Sequence, residues 1–194
     1  MRLFIGIPLS VAVADELRVF VARLRSNSDG LRWSAPESWH ITLQFLGATT
    51  AEQFECLKAQ LGQVSSAPVS IEMGEPGFFD RSGVFFVDVI VSPALAALQQ
   101  QIVASTSHCG FIAETQPYHP HITLAREKSN RETREKGNKS ARAGSGGLRA
   151  LQAKIGKPSR ISSFTAREFL IYESHLSSDG SRYEVRERYP LINR

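Results

Sequence analysis

The tetrapeptide His-Ile-Thr-Leu occurs twice in this 194-residue chain, at residues 40–43 and 121–124. At the chain's residue frequencies chance supplies on the order of 0.001 copies, so the second copy marks an internal repeat. Residues two apart on a strand share a face. His40 with Thr42, and His121 with Thr123, therefore each present one imidazole and one hydroxyl, while the Ile and Leu turn inward. Phosphoryl transfer needs a base on the attacking oxygen and an acid on the leaving oxygen, and imidazoles titrate near neutrality. Two hydroxyls suit the non-bridging oxygens that carry developing charge. A cation, Arg126, lies two residues beyond the second motif. One His-x-Thr-x alone would read as a satisfied polar residue on a strand; the duplicate makes an acid–base pair the better reading. No cluster of Asp or Glu accompanies the histidines, so neither a magnesium site nor any other cofactor is expected.

The elements that must carry these motifs are readable in outline. Residues 2–8 form a first strand closed by Pro8. Ser10 caps a helix running to about Ser26, with Val11, Ala14, Leu17, Val21 and Leu24 as its apolar stripe. Residues 31–33 suggest a short strand. From His40 to Leu46 polar and apolar residues alternate, which turns Gln44 with the histidine and Phe45 to the core. Thr50 begins a second helix carrying Phe54, Leu57 and Leu61. Residues 69–73 and 84–91 are expected to pair across the turn at Arg81-Ser82-Gly83. Ser92-Pro93 opens a third helix with Leu95, Leu98, Ile102 and Val103 inside. A strand at 121–125 follows, then a polar, basic segment at 127–147 read as a mobile excursion. Two final strands, near 161–175 and 182–189, join at Asp179-Gly180. The class is α+β with mainly antiparallel sheets. Residues 1–194 make a single domain of two lobes, one per motif.

Composition is globular, with 42% hydrophobic and 22% charged residues. No apolar run is long enough to cross a membrane, and Met1–Pro8 reads as a strand rather than a signal peptide. Two cysteines, Cys56 and Cys109, outline neither a disulfide framework nor a four-ligand zinc site, and a reducing cytoplasm is the expected setting. Arg126 to Arg160 holds eleven Lys/Arg and three Glu, a local +8 that leaves −4 elsewhere given the overall +4. That asymmetry suits a polyanion such as RNA, although on charge alone a solvated basic loop is the slightly better reading. Tyr118, Trp39 and Phe45 are stacking candidates, with Phe45 assigned to the core by its alternation. Phe78, Phe79, Phe85 and Phe86 are assigned to packing. His119 and His121 are spaced for a metal pair, but no third and fourth ligand is evident. His108 and His175 read as structural or surface residues.

The blocks around the two motifs resemble the 2H phosphoesterase superfamily, named for two His-x-Thr-x motifs. Within it they look like the bacterial and archaeal RNA 2′,3′-cyclic phosphodiesterases, the 2′-5′ RNA ligase family. The resemblance rests on Arg2–Pro8, on Trp33-Ser34-Ala35-Pro36-Glu37 leading into His40–Gly47, and on Pro117–Arg126. Phe169–Ser174, Gly180 and Tyr183 extend it over nearly the whole chain. Trp39 departs from it, standing where the family more often has a smaller apolar residue. The resemblance implies two lobes of mainly antiparallel sheet, with flanking helices, around a central cleft. It implies hydrolysis of a terminal 2′,3′-cyclic phosphate to a 2′-phosphate. His40 would be the acid on the departing 3′ oxygen and His121 the base on water. Thr42 and Thr123 would bind the phosphate, and Arg126 would assist.

Three other functions fit the same residues. A small cyclic-phosphate nucleotide would replace RNA as substrate, and would show little salt dependence. The reverse reaction would join RNA ends 2′-5′. A non-catalytic RNA-binding module would bind without turnover, but both His and both Thr are intact. A monomer is the default expectation.

Overall fold

Capping residues start three of the helices where the sequence places them. In the computed structural model, which describes residues 1–26, 30–128, 145–155, 161–177 and 180–192, strand β1 (Arg2–Pro8) leads to helix α1 (Val11–Leu24). The Ser10 hydroxyl accepts from the Val13 amide. Strands β2 (Leu31–Trp33) and β3 (His40–Ala48) follow, then α2 (Ala51–Leu61), which opens with a reciprocal cap between Thr50 and Gln53. Strands β4 (Val69–Ile71), β5 (Met73–Phe79) and β6 (Val84–Val89) precede α3 (Pro93–Ser107), whose first turn is capped by Ser92. Strand β7 (His121–Glu127), helix α4 (Ser145–Lys154), and strands β8 (Phe164–Ala166), β9 (Glu168–Ser177) and β10 (Gly180–Pro190) complete the order.

Two four-stranded antiparallel sheets, ordered β10-β9-β1-β3 and β2-β7-β6-β5, carry one motif each. The halves repeat an order: β1-α1-β3-α2-β4-β5 matches β6-α3-β7-α4-β8-β9. The equivalent strands β4 and β8 pair with each other. Each sheet is completed from the other half, since β9 pairs with β1 and β5 pairs with β6. One apolar core runs through both lobes, from Ile5, Leu17 and Ile41 to Phe85, Leu98 and Ile122.

Several expectations are corrected. The α1 stripe is displaced at its start: Val13 is buried, whereas Val11 is 77% exposed. Only the end of 69–73 pairs with 84–91, where Met73 stands opposite Val89 as the first residue of β5; Val69–Ile71 form β4 and pair with β8. Gly74, Pro76 and Gly77 had hidden β5, whose edge position tolerates a proline that cannot donate. Glu127 belongs to β7, and 145–147 lie in α4, which buries Leu148 and Leu151. Residues 129–144, the centre of the basic excursion, lie outside the described residues. Cys56 on α2 and Cys109 just beyond α3 form a disulfide, with Cα atoms 5.7 Å apart. Their 53-residue separation gives no local sign of pairing; packing of α2 on α3 brings them together. The reducing setting rested on reading these as free thiols and loses that support. Among the described residues no helix is long and apolar enough to cross a membrane.

Candidate active site

The two motifs have matching local geometry. On β3, Ile41 and Leu43 are buried while His40 and Thr42 are half-buried; on β7, Ile122 and Leu124 are buried while His121 and Thr123 are half-buried. Strands β3 and β7 lie against one another, which brings the two motifs together. Each imidazole is anchored by its own chain. The Nδ1–H of His40 donates to the Ser38 carbonyl at 2.7 Å, and that of His121 donates to the His119 carbonyl at 2.8 Å. With Nδ1 so engaged, Nε2 is left for chemistry in both rings.

A bulge follows each threonine. Gly6 pairs with Thr42 but Ile5 pairs with Gln44, passing over Leu43. Phe86 pairs with Thr123 but Phe85 pairs with Ala125, passing over Leu124. The extra residue reverses the alternation beyond it. Two consecutive residues are then buried, Leu43-Gln44 and Leu124-Ala125, and the fifth residue after each histidine is exposed. That residue is Phe45 in one lobe and Arg126 in the other. The core assignment of Phe45 is therefore wrong: it is 58% exposed, and Gln44 lies inside, accepting from the Thr106 hydroxyl at 2.9 Å. Aligning the two repeats would have shown Phe45 and Arg126 to be equivalent.

The rings that surround the histidines differ. His40 sits among Phe4, Tyr172 and Tyr183, at 4.6, 5.7 and 5.1 Å between ring centres. His121 lies against Phe79 and Phe86 at 5.0 and 5.2 Å. Phe79 was assigned to packing, yet it lines the cleft. Burial lowers the His40 pKa to about 4 despite the Ser38 carbonyl; the charges of His121 and Arg126 lower it further. Burial also lowers the pKa of His121, as do His119 and Arg126, while the His119 carbonyl and Asp88 oppose the shift. Arg126 thus acts on both rings.

A groove of about 940 Å³ opens beside Thr42 and His121 and runs along α3, with Phe45, Phe79, Gln99 and Tyr118 on its walls. The Tyr118 hydroxyl donates to the Thr42 carbonyl at 3.3 Å, which ties the approach to β7 onto β3, and burial pushes the phenol's pKa up. Trp39, a stacking candidate from sequence, is buried at 6% exposure and belongs to the core. His119 Nε2 meets Asp88 Oδ1 at 3.0 Å. His108 bonds the Ala104 carbonyl and His175 meets Glu184, both at the surface. Among the described residues no group of three His, Cys, Asp or Glu side chains is placed to hold a metal ion.

Residues 13–156 match the family model described as the 2′-5′ RNA ligase superfamily. The RNA 2′,3′-cyclic phosphodiesterase of Bacillus subtilis is 31% identical over 129 residues, spanning 64% of this chain and 70% of that protein. The RNA 2′,3′-cyclic phosphodiesterase of Escherichia coli is 25% identical over 191 residues, spanning 98% and 96%. The crystal structure of E. coli LigT complexed with 3′-AMP superposes with a TM-score of 0.77 at 25% identity, covering 98% of this chain and 97% of that one.

Proposed function

We propose, since this chain belongs to the 2′-5′ RNA ligase superfamily, that it hydrolyses a terminal 2′,3′-cyclic phosphate of RNA to a 2′-phosphate. The observation that carries the proposal is the pair of Nδ1-anchored imidazoles on adjacent strands, each with a threonine on its own face and with Arg126 acting on both. The names of the relatives supply the substrate class.

In this reading the neutral Nε2 of His121 takes a proton from water as its oxygen attacks phosphorus. The bond from phosphorus to the 3′ oxygen breaks, and Nε2–H of His40 supplies that oxygen with its proton. The 2′ ester survives, giving a 2′-phosphate and a free 3′ hydroxyl. Thr42 and Thr123 donate to the non-bridging oxygens, and Arg126 offsets the charge that grows there. Burial leaves His40 neutral at pH 7 in the free protein, so its acid role depends on the bound substrate raising its proton affinity. Its protonation in the complex is restored by the anionic phosphodiester placed beside it. Arg126 in one lobe and Phe45 in the other give the cleft a phosphate side and an aromatic side. A base stacks on Phe45, with Tyr118 as a second wall.

The test is incubation of the protein, in excess EDTA, with an RNA oligonucleotide ending in a 2′,3′-cyclic phosphate, followed by mass spectrometry and phosphatase treatment. The parent is expected to form the 2′-phosphate, and His40→Ala and His121→Ala to lose at least about 100-fold in kcat. Turnover that persists in both variants would sink the two-histidine mechanism. No turnover of RNA ends, with turnover of a nucleoside 2′,3′-cyclic phosphate, would shift the substrate to small nucleotides.

A further inference from the structure

The second motif differs from the first by a carboxylate. His121 stands opposite Asp88 in the β6–β7 register, and His40 stands opposite Pro8 in the equivalent β1–β3 register. Asp88 Oδ1 lies 3.0 Å from Nε2 of His119. The backbone carbonyl of that same His119 accepts Nδ1–H of His121 at 2.8 Å. Strand β6 holds this stretch from the main chain as well, since the Val89 amide donates to the Pro120 carbonyl at 3.1 Å. Asp88 has its place because residue 74 is glycine: a Cβ there would stand 3.0 Å from Asp88 Cβ and 3.3 Å from its Oδ2. The rings of His119 and His121 both pack against Phe79 and Phe86, at 5.0–5.6 Å.

We propose that Asp88 and His119 are positioning residues for His121: the Asp88 carboxylate fixes His119, whose carbonyl fixes the His121 ring, and its charge supports proton uptake at Nε2. This rests on His121 acting as the base in the reading above. Of the two histidines, the one assigned to accept the proton is the one two links from a carboxylate. The charged groups that bear on His121 are Asp88 from β6, His119 ahead of β7, Arg126 farther along β7, and His40 across the cleft on β3. Strand β5 faces it with Phe79.

The test compares the parent with Asp88→Asn, Asp88→Ala and His119→Gln. Two readouts are used: steady-state kinetics against pH, and NMR titration of the His121 ring without substrate. Asp88→Asn keeps an acceptor for His119 but loses the charge. Its His121 midpoint and the acidic limb of its rate profile should both move to lower pH, with plateau kcat within about threefold of the parent. Asp88→Ala and His119→Gln should lower kcat about tenfold, with KM within about twofold, because the ring is no longer held. An unmoved His121 midpoint in both Asp88 variants would overturn the proposal, as would a fall in thermal stability alone with kinetics unchanged. The titration needs no substrate, so it decides the positioning role even if the parent fails to turn over RNA ends.

Discussion

Phe45 and His40 show how much one residue's surroundings change its role. Alternation assigns Phe45 to the core, yet one passed-over residue turns it out to 58% exposure beside the groove. Stacking of a base on an aromatic ring is worth about 1–3 kcal/mol. Phe45→Ala should therefore raise KM about tenfold for a nucleoside cyclic phosphate while leaving kcat nearly unchanged. An equal loss on glycerol 1,2-cyclic phosphate, which carries no aromatic ring, would remove the stacking role. His40 makes a separate prediction about stability. Folded, it stays neutral down to about pH 4; unfolded, it takes a proton near its ordinary 6.5. The unfolded chain thus binds more protons between those values, so stability is full above 6.5 and is lost as pH falls toward 4. His40→Asn should flatten that part of the profile, read as the difference between denaturation midpoints at pH 4.5 and 7.5. Parent and variant falling equally would mean that His40 does not carry the effect.

At the scale of the element, the matched bulges on β3 and β7 are the device that builds the cleft. Each lets one strand offer His and Thr, then reverse its faces and offer a fifth residue of different chemistry. The first bulge is supported by Gly6. A Cβ on that residue would stand 2.9 Å from the Ile41 carbonyl oxygen, which is backbone, and 3.5 Å from the ring of His40. Gly6→Ala must push β1 from β3 and should cost about 1–3 kcal/mol. Its melting temperature and kcat should fall together, because the strand that loses its close pairing with β1 is the one bearing His40. A variant with parental stability and parental kcat would show that the close approach is not needed.

At the scale of the whole molecule, the two halves complete one another's sheets in spite of the repeat. The strand that completes each sheet comes from the other half of the chain, and β4 and β8 pair across the halves. Neither lobe can therefore close its core alone. The Cys56–Cys109 disulfide adds a covalent tie between α2 in the first half and the end of α3 in the second. Closing a loop of 53 residues in the unfolded chain is worth about 4 kcal/mol by the entropy model. Reduction with dithiothreitol, or Cys56→Ser with Cys109→Ser, should lower the melting temperature by several degrees. The histidine motifs should stay active at 25 °C, since neither cysteine lies in either motif. An unchanged melting temperature would mean that the bond adds nothing to stability.

The sequence by itself determined the family and most of the elements. The repeated His-Ile-Thr-Leu put a histidine and a threonine on one face of each of two strands, and Ser10, Thr50 and Ser92 marked three helix starts, because caps and strand periodicity are local in the chain. It missed α4, whose start lies within a glycine-rich run, and β5, broken up by Gly and Pro. Tertiary structure alone decided that Phe45 faces the groove, that Trp39 does not, that Asp88 stands behind His119, and that the two cysteines meet. Each of these depends on register between strands or on packing of helices distant in sequence. Such pairings are set by which apolar faces bury together, and no short window of residues contains that information.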